Sequence, residues 1–105
     1  MIVVTSETVA GKKIVRTLGL VRGNTIRARH IGKDIMAGLR SLVGGEIHEY
    51  AKLLAGSREQ SLDRMCAEAQ ALGANAIVAT RFTTSVMMGG AAELLVIGTA
   101  VVIEE

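Results

Sequence analysis

Proline and tryptophan are absent from these 105 residues, cysteine occurs once, and Tyr50 and Phe82 are the sole aromatic residues. A single thiol, Cys66, excludes an intrachain disulfide and any zinc site built within one copy from Cys-x-x-Cys pairs. That usage suits a reducing compartment. Two aromatics cannot form the stacking platform on which single-stranded bases rest. Long apolar runs are missing as well: the longest nearly uncharged stretch, Leu94 to Ile103, is half of the ~20 residues that a membrane-spanning helix needs. Met1-Ile2-Val3-Val4 is followed by Thr5-Ser6-Glu7, neither basic enough nor apolar for long enough to be a secretory signal. The expected location is the cytoplasm, with no membrane insertion.

What the chain does have is aliphatic bulk. Half of its residues are hydrophobic and the mean hydropathy is +0.40, so the core must be Val, Ile, Leu, Ala and Met. A chain of this length forms one compact core, and the apolar surplus points to burial between copies of itself. No linker, repeat or low-complexity tract divides it, and residues 1–105 read as one domain. Charge is uneven: residues 1–40 hold eight Lys/Arg against Glu7 and Asp34, and the remainder holds four against eight, giving +6 and −4. Complementary packing between copies accounts for that asymmetry, as does an anionic partner.

Glycine supplies the punctuation. Ile14 to Arg22 is β-branched and apolar, Gly23-Asn24 offers a turn, and Thr25 to Arg29 is again extended, so the whole reads as a bent or bulged strand. From Asp34 the period changes, with Ile35, Met36, Leu39, Leu42 and Val43 predicting a short helix that ends at Gly44-Gly45. Glu46 opens a longer helix in which Ile47, Tyr50, Leu54, Ser61, Met65, Ala69 and Leu72 share a face, with Gly73 as the stop. Gly56-Ser57 interrupts the stripe, and Ser57 with Gln60 has the spacing of a capping box, but the apolar phase continues, favouring one helix. Ile77 to Met87 reads as a strand with Val78, Phe82 and Val86 on one face and Arg81, Thr83 and Ser85 on the other. Gly89-Gly90 suits a hairpin loop before Glu93 to Ile103, a strand apolar on both faces. One face would meet the helix, and a second subunit is the simplest cover for the other.

The segments Gly44-Gly45-Glu46-Ile47-x-Glu49-Tyr50, Arg58-Glu59, Arg64-Met65, Leu72-Gly73-Ala74-Asn75-Ala76-Ile77-Val78, Arg81-Phe82 and Gly98-Thr99-Ala100-Val101, in this order over nearly the whole chain, resemble the YbjQ-like family. Its members are small proteins of uncharacterised function that carry a heavy-metal-binding label. The resemblance implies an α+β fold, a β-α-β-β unit whose small antiparallel sheet packs on a long helix, similar to the dodecin subunit. It also implies assembly into a pentameric ring, and it brings no catalytic set.

Heavy-metal binding needs thiolates, thioethers or imidazoles converging on one ion. Cys66 sits beside Met65 on the long helix, where a lone cysteine is usually a small hydrophobe, although a ring axis would gather one thiol per copy. Met87 and Met88 precede the Gly-Gly loop and are either Cu(I) ligands or interface fillers. His30 and His48 lack a His or Cys at ligand spacing, and His48 lies among Glu46, Glu49 and Lys52 at a helix start where carboxylates serve the helix dipole. Gly44-Gly45 frees backbone N–H groups for close approach, but Glu46 repels phosphate and no Walker lysine follows. Gly44, Gly45, Glu46, Tyr50 and Arg81 therefore form a candidate ligand or interface cluster, Arg81 pairing with Glu46, Glu49 or Glu93 within or between copies. No G-x-S-x-G elbow exists, and enzymatic activity is not expected. The leading expectation is a non-enzymatic ring module that binds a metal ion or small ligand. The alternative is a scaffold or adaptor for protein partners, nucleic acid or anionic lipid, using the basic strip from Lys12 to Arg40, with nucleic acid the less favoured partner.

Overall fold

A computed structural model describes residues 1–27, 45–86 and 92–105, without the side chains of residues 27, 45–54 and 86. The short helix expected over residues 34–43, together with Gly44, His30, Met87, Met88 and the Gly89-Gly90 loop, lies outside the described residues. The described elements are β1 (Ile2–Val3), β2 (Ile14–Arg27), α1 (Gly45–Ala71), β3 (Ala76–Val86) and β4 (Ala92–Ile103).

The β-branched runs form the three long strands. β3 and β2 flank β4, both antiparallel to it, and β3 and β4 form the expected hairpin, paired from Val86↔Ala92 down to Ala76↔Val101. The sheet is nevertheless mixed, because β1 adds at the far edge parallel to β3, giving the order β1-β3-β4-β2. The expectation of an antiparallel sheet fails at that one strand. Two residues carry no readable alternation, and β1 is held by pairing with β3 and by the Val4 N–H donating to the Ile77 carbonyl at 3.0 Å.

β2 runs through Gly23-Asn24 without a turn, its irregularities falling instead between Ile14 and Arg16 and between Thr17 and Gly19. Gly23 has a different task. A Cβ there would stand 2.6 Å from the Met65 nitrogen and nearer still to the Ser61 carbonyl, so α1 rests on bare backbone at this point. The face of the helix turned to the sheet carries Ser57, Ser61, Met65 and Ala69, four residues apart and buried against Val21, Val96 and Ala100, the two serines being small enough for the close approach. α1 is one helix across Gly56, and Ser57 packs inward instead of restarting it.

Burying hydroxyls costs stability unless each finds a partner. Ser61 Oγ lies 2.9 Å from Thr25 Oγ1, 3.0 Å from the Ser57 carbonyl and 3.1 Å from the Leu94 carbonyl, while Thr25 also donates toward Ser57 O at 3.2 Å. Gly73, at φ 90°, ends the helix with its N–H on the Gln70 carbonyl, in the manner of a left-handed cap. Leu72 falls after the last helical residue and is 48% exposed, so it leaves the buried stripe to which its spacing assigned it.

A bulge in β3 overturns one facial assignment. Val78 pairs with Thr99 and Arg81 with Ile97, so three residues on β3 span two on β4, with Ala79 at φ 54°. Val78 consequently faces away from α1, where it packs with Ala76, Val101 and Ile103. Phe82, opposite Val96, lies on the helix face. Gly98 makes room for the bulge, since a Cβ there would meet Ile77 Cγ2 at 2.5 Å and Thr80 Oγ1 at 3.3 Å.

The doubly apolar β4 therefore has two covers. α1 covers one face. One end of the other is covered by the chain's own connection from β1 to β2, through Val4, Val9 and Ile14. The rest of that second face, around Leu20, Leu95 and Ile97, has no cover among the described residues, and Leu20 is 64% exposed.

Candidate functional site

α1 lies over β2 and β4 and barely touches β3. This offset leaves the β1–β3 strip of the helix face open as a groove of about 400 Å³. From α1 come Glu59, Leu62, Asp63 and Cys66, at the i, i+3, i+4, i+7 spacing that puts them on one stripe beside the buried one. β3 contributes Thr80 and Phe82, and Val3, Val4 and Thr5 form the outer wall. Phe82 is there only because the bulge turned it to this face.

Cys66 is half-buried at the groove wall. Burial pushes its thiol pKa above the ordinary value, the Asp63 carboxylate adds to the rise, and the terminal ammonium of Met1 opposes both to a smaller degree. The resting form at neutral pH is the protonated thiol, a weak nucleophile and a weak ligand. Thr80 lines the same groove at 3% exposure, and its Oγ1 has no hydrogen-bond partner among the described residues.

On the opposite sheet face a cleft of about 350 Å³ lies between β2 and β4. Leu20, Leu95 and Ile97 supply its apolar part, and Arg22 stands on its wall. Asn24 donates through Nδ2 to the Glu93 carboxylate at 3.1 Å, while Arg64, reaching from α1, donates to the Asn24 carbonyl.

The expected cluster of Gly44, Gly45, Glu46, Tyr50 and Arg81 is described only in part. Gly45, Glu46, His48 and Tyr50 belong to the first turns of α1, with side chains outside the described residues, as is the whole of Gly44. Arg81 is described and exposed: its Nη1 donates to the Thr5 and Thr80 carbonyls, each at 2.8 Å, tying the bulge to the segment after β1. Glu93, one of its expected partners, lies four positions along β4 from Ile97, the residue opposite Arg81. In this structure the Glu93 carboxylate accepts from Asn24 instead.

Sequence reasoning singled out Cys66 and missed its surroundings. The α1 residues were readable as a helical stripe, but Thr80 and Phe82 join them only through a bulge with no sequence signature. Among the described residues no three His, Cys, Asp or Glu side chains converge as a metal site. No described helix is long and apolar enough to cross a membrane.

Residues 1–104 match the model of a family described as "Putative heavy-metal-binding". The chain is 58% identical over 104 residues to a UPF0145 protein of Dehalococcoides mccartyi, covering 99% of this chain and 100% of that one. It is 56% identical over 101 residues to a UPF0145 protein of Methanosarcina acetivorans, covering 96% and 95%. A crystal structure of a Pediococcus pentosaceus protein of unknown function from the DUF74 family superposes with a TM-score of 0.65 at 15% identity, covering 99% and 98% of the two chains, a likeness of fold. Full-length matches at this identity leave one conclusion: the chain belongs to the YbjQ-like family of UPF0145 proteins.

Proposed function

We propose that this chain is a non-enzymatic binding module that works as a closed homo-oligomer, with copies joined through the sheet face turned away from α1. The observation that carries the reading is the uncovered part of that face: Leu20 is 64% exposed beside Leu95 and Ile97. Apolar side chains ringed by Arg22, Asn24 and Glu93 have the make-up of an interface with a dry centre and a polar rim. Kinship to the family suggests five copies in the ring.

The family's label implies a heavy metal, and the described side chains of one copy do not fit it. Cys66 is the chain's lone thiol, its proton is held by burial and by Asp63, and no further ligands converge on it among the described residues. A soft-metal site would have to draw ligands from more than one copy. The adaptor alternative gains no specific support. Arg22 pairs with Ile97 on the open face and Arg16 with Val102 on the helix side, so two of the basic residues fall on opposite faces.

Size exclusion with light scattering tests the assembly. The expected particle is a multiple of 11.0 kDa, and Ile97→Asp, on the open face, dissociates it. A wild-type protein that runs as a monomer at every concentration would sink the proposal.

A further inference from the structure

Among the described residues the sheet ends in two edges, β1 and β2, and an open edge is a template for another strand. β1 offers two residues, too short a run to hold one. The first half of β2 is broken by irregularities between Ile14 and Arg16 and between Thr17 and Gly19, which spoil the spacing that an added strand needs. Leu20 to Arg27 differs. Its register with β4 is unbroken, and it carries the exposed apolar side chains of Leu20 and Ile26. Arg64 meets the edge at this stretch. It lies two residues from Leu62 and two from Cys66, so it leaves α1 on the flank opposite the groove, and its Nη1 donates to the Asn24 carbonyl. A carbonyl met from that flank points away from β4. In a regular strand Leu20, Arg22 and Ile26 then turn their N–H and C=O outward with Asn24, while Val21, Gly23 and Thr25 serve the ladder to β4.

We propose that Arg64 keeps the β2 edge closed to a second copy of this chain. The strand that this edge would otherwise take is another β2. Turned antiparallel about a two-fold at Gly23, two copies would set Leu20 of one beside Ile26 of the other, an apolar cross-strand pair at each end, with Arg22 beside Asn24 between them. Arg64 opposes that pairing twice. Its guanidinium holds the Asn24 carbonyl that the new strand needs as an acceptor, and the two-fold would bring one such positive charge from each copy to the same seam. Copies are thereby left to join through the sheet face, and assemblies are kept from linking edge to edge.

A mere tie between α1 and β2 would make Arg64 matter to stability alone, whereas a closed edge makes it matter to association. The experiment compares the intact wild-type protein with Arg64→Met, which keeps the aliphatic stem and loses the charge and the donor. By light scattering over a concentration series the variant should reach about twice the wild-type mass or more. The comparison holds whatever the wild-type mass is, so a failure of the face-joined assembly and a failure of this inference read separately. Adding Ile26→Pro removes an outward N–H without touching the ladder to β4, and it should return the variant to the wild-type mass. In the wild type, hydrogen exchange at the Arg22, Asn24 and Ile26 amides should be at least about tenfold faster than at Val21, Gly23 and Thr25. An Arg64→Met particle of wild-type mass overturns the proposal. So does growth that Ile26→Pro leaves in place, or equal protection of both sets of amides in the wild type, which would mean that the edge is already paired.

Discussion

The Asn75 side chain completes the end of the sheet by acting as a strand partner for Ile103. Its Nδ2 donates to the Ile103 carbonyl at 2.9 Å and its Oδ1 accepts from the Ile103 N–H at 2.7 Å, while the Asn75 N–H donates to the Val101 carbonyl at 3.2 Å. The same residue receives β1, whose Ile2 N–H donates to the Asn75 carbonyl at 3.4 Å. One residue, through its side-chain amide and its own backbone N–H and C=O, thus secures the turn from α1 into β3, the end of β4 and the start of the edge strand.

Asn75→Leu leaves both backbone groups of Ile103 without that partner, at a part-buried position. The expected loss in urea unfolding is about 1–3 kcal/mol. A midpoint unchanged within error would show that water replaces the amide there.

Gly23→Ala and Gly56→Ala should move stability in opposite directions. The first places a Cβ against the Ser61 carbonyl and the Met65 nitrogen, whereas the second meets nothing within 4 Å on the exposed side of α1. Overpacking against backbone costs about 1–3 kcal/mol or more. Filling an exposed helical glycine gains up to ~1 kcal/mol. Paired thermal melts read the signs directly.

Ala79 sits at φ 54°, where a Cβ is strained and glycine is not. Ala79→Gly should therefore stabilise the fold by up to about 1 kcal/mol despite the added freedom of the unfolded chain, and Ala79→Val should destabilise it. Denaturant midpoints for the pair against wild type suffice. A loss of stability with glycine would count against strain at the bulge.

The Cys66 thiol has its pKa raised in the fold, by burial and then by Asp63. A raised value means that this contribution to stability is fully present below the unfolded thiol pKa, about 8.5, and is lost as pH rises through the folded one. The difference in unfolding free energy between wild type and Cys66→Ser should be flat at neutral pH and shrink in alkali. Asp63→Asn should narrow that decline, and it should bring the pH midpoint of thiol alkylation downward.

The long strands and α1 were legible because β-branched runs and a 3.6-residue period survive in a single sequence. β1 was not, since its two residues are strand only by virtue of their partner. Gly23 was read as a turn because glycine before asparagine usually is one, and the same residue equally serves a close helix contact. The bulge hid best. Ala79-Thr80 interrupts nothing in a β-rich run, yet it carries Phe82 across the sheet and so assembles the groove around Cys66. The facial pattern after residue 79 depended on a backbone conformation that side-chain chemistry does not announce. Of the five-residue cluster drawn from the glycine corner, Arg81 is the member whose side chain is described, and its two carbonyl partners lie in segments that the sequence reading had left unconnected.

Seating α1 on the bare backbone of Gly23 also limits how this protein can move. Packed helices ordinarily shear past a sheet by small translations, side chains yielding as they go. Here the Ser61 carbonyl and Met65 nitrogen occupy the space over a residue with no side chain to yield, and on either side of it stand residues that do have one. Sliding in either direction along β2 would drive helix backbone into the Cβ of Val21 or Thr25, both buried beneath α1. The helix and β2 should therefore travel as one piece.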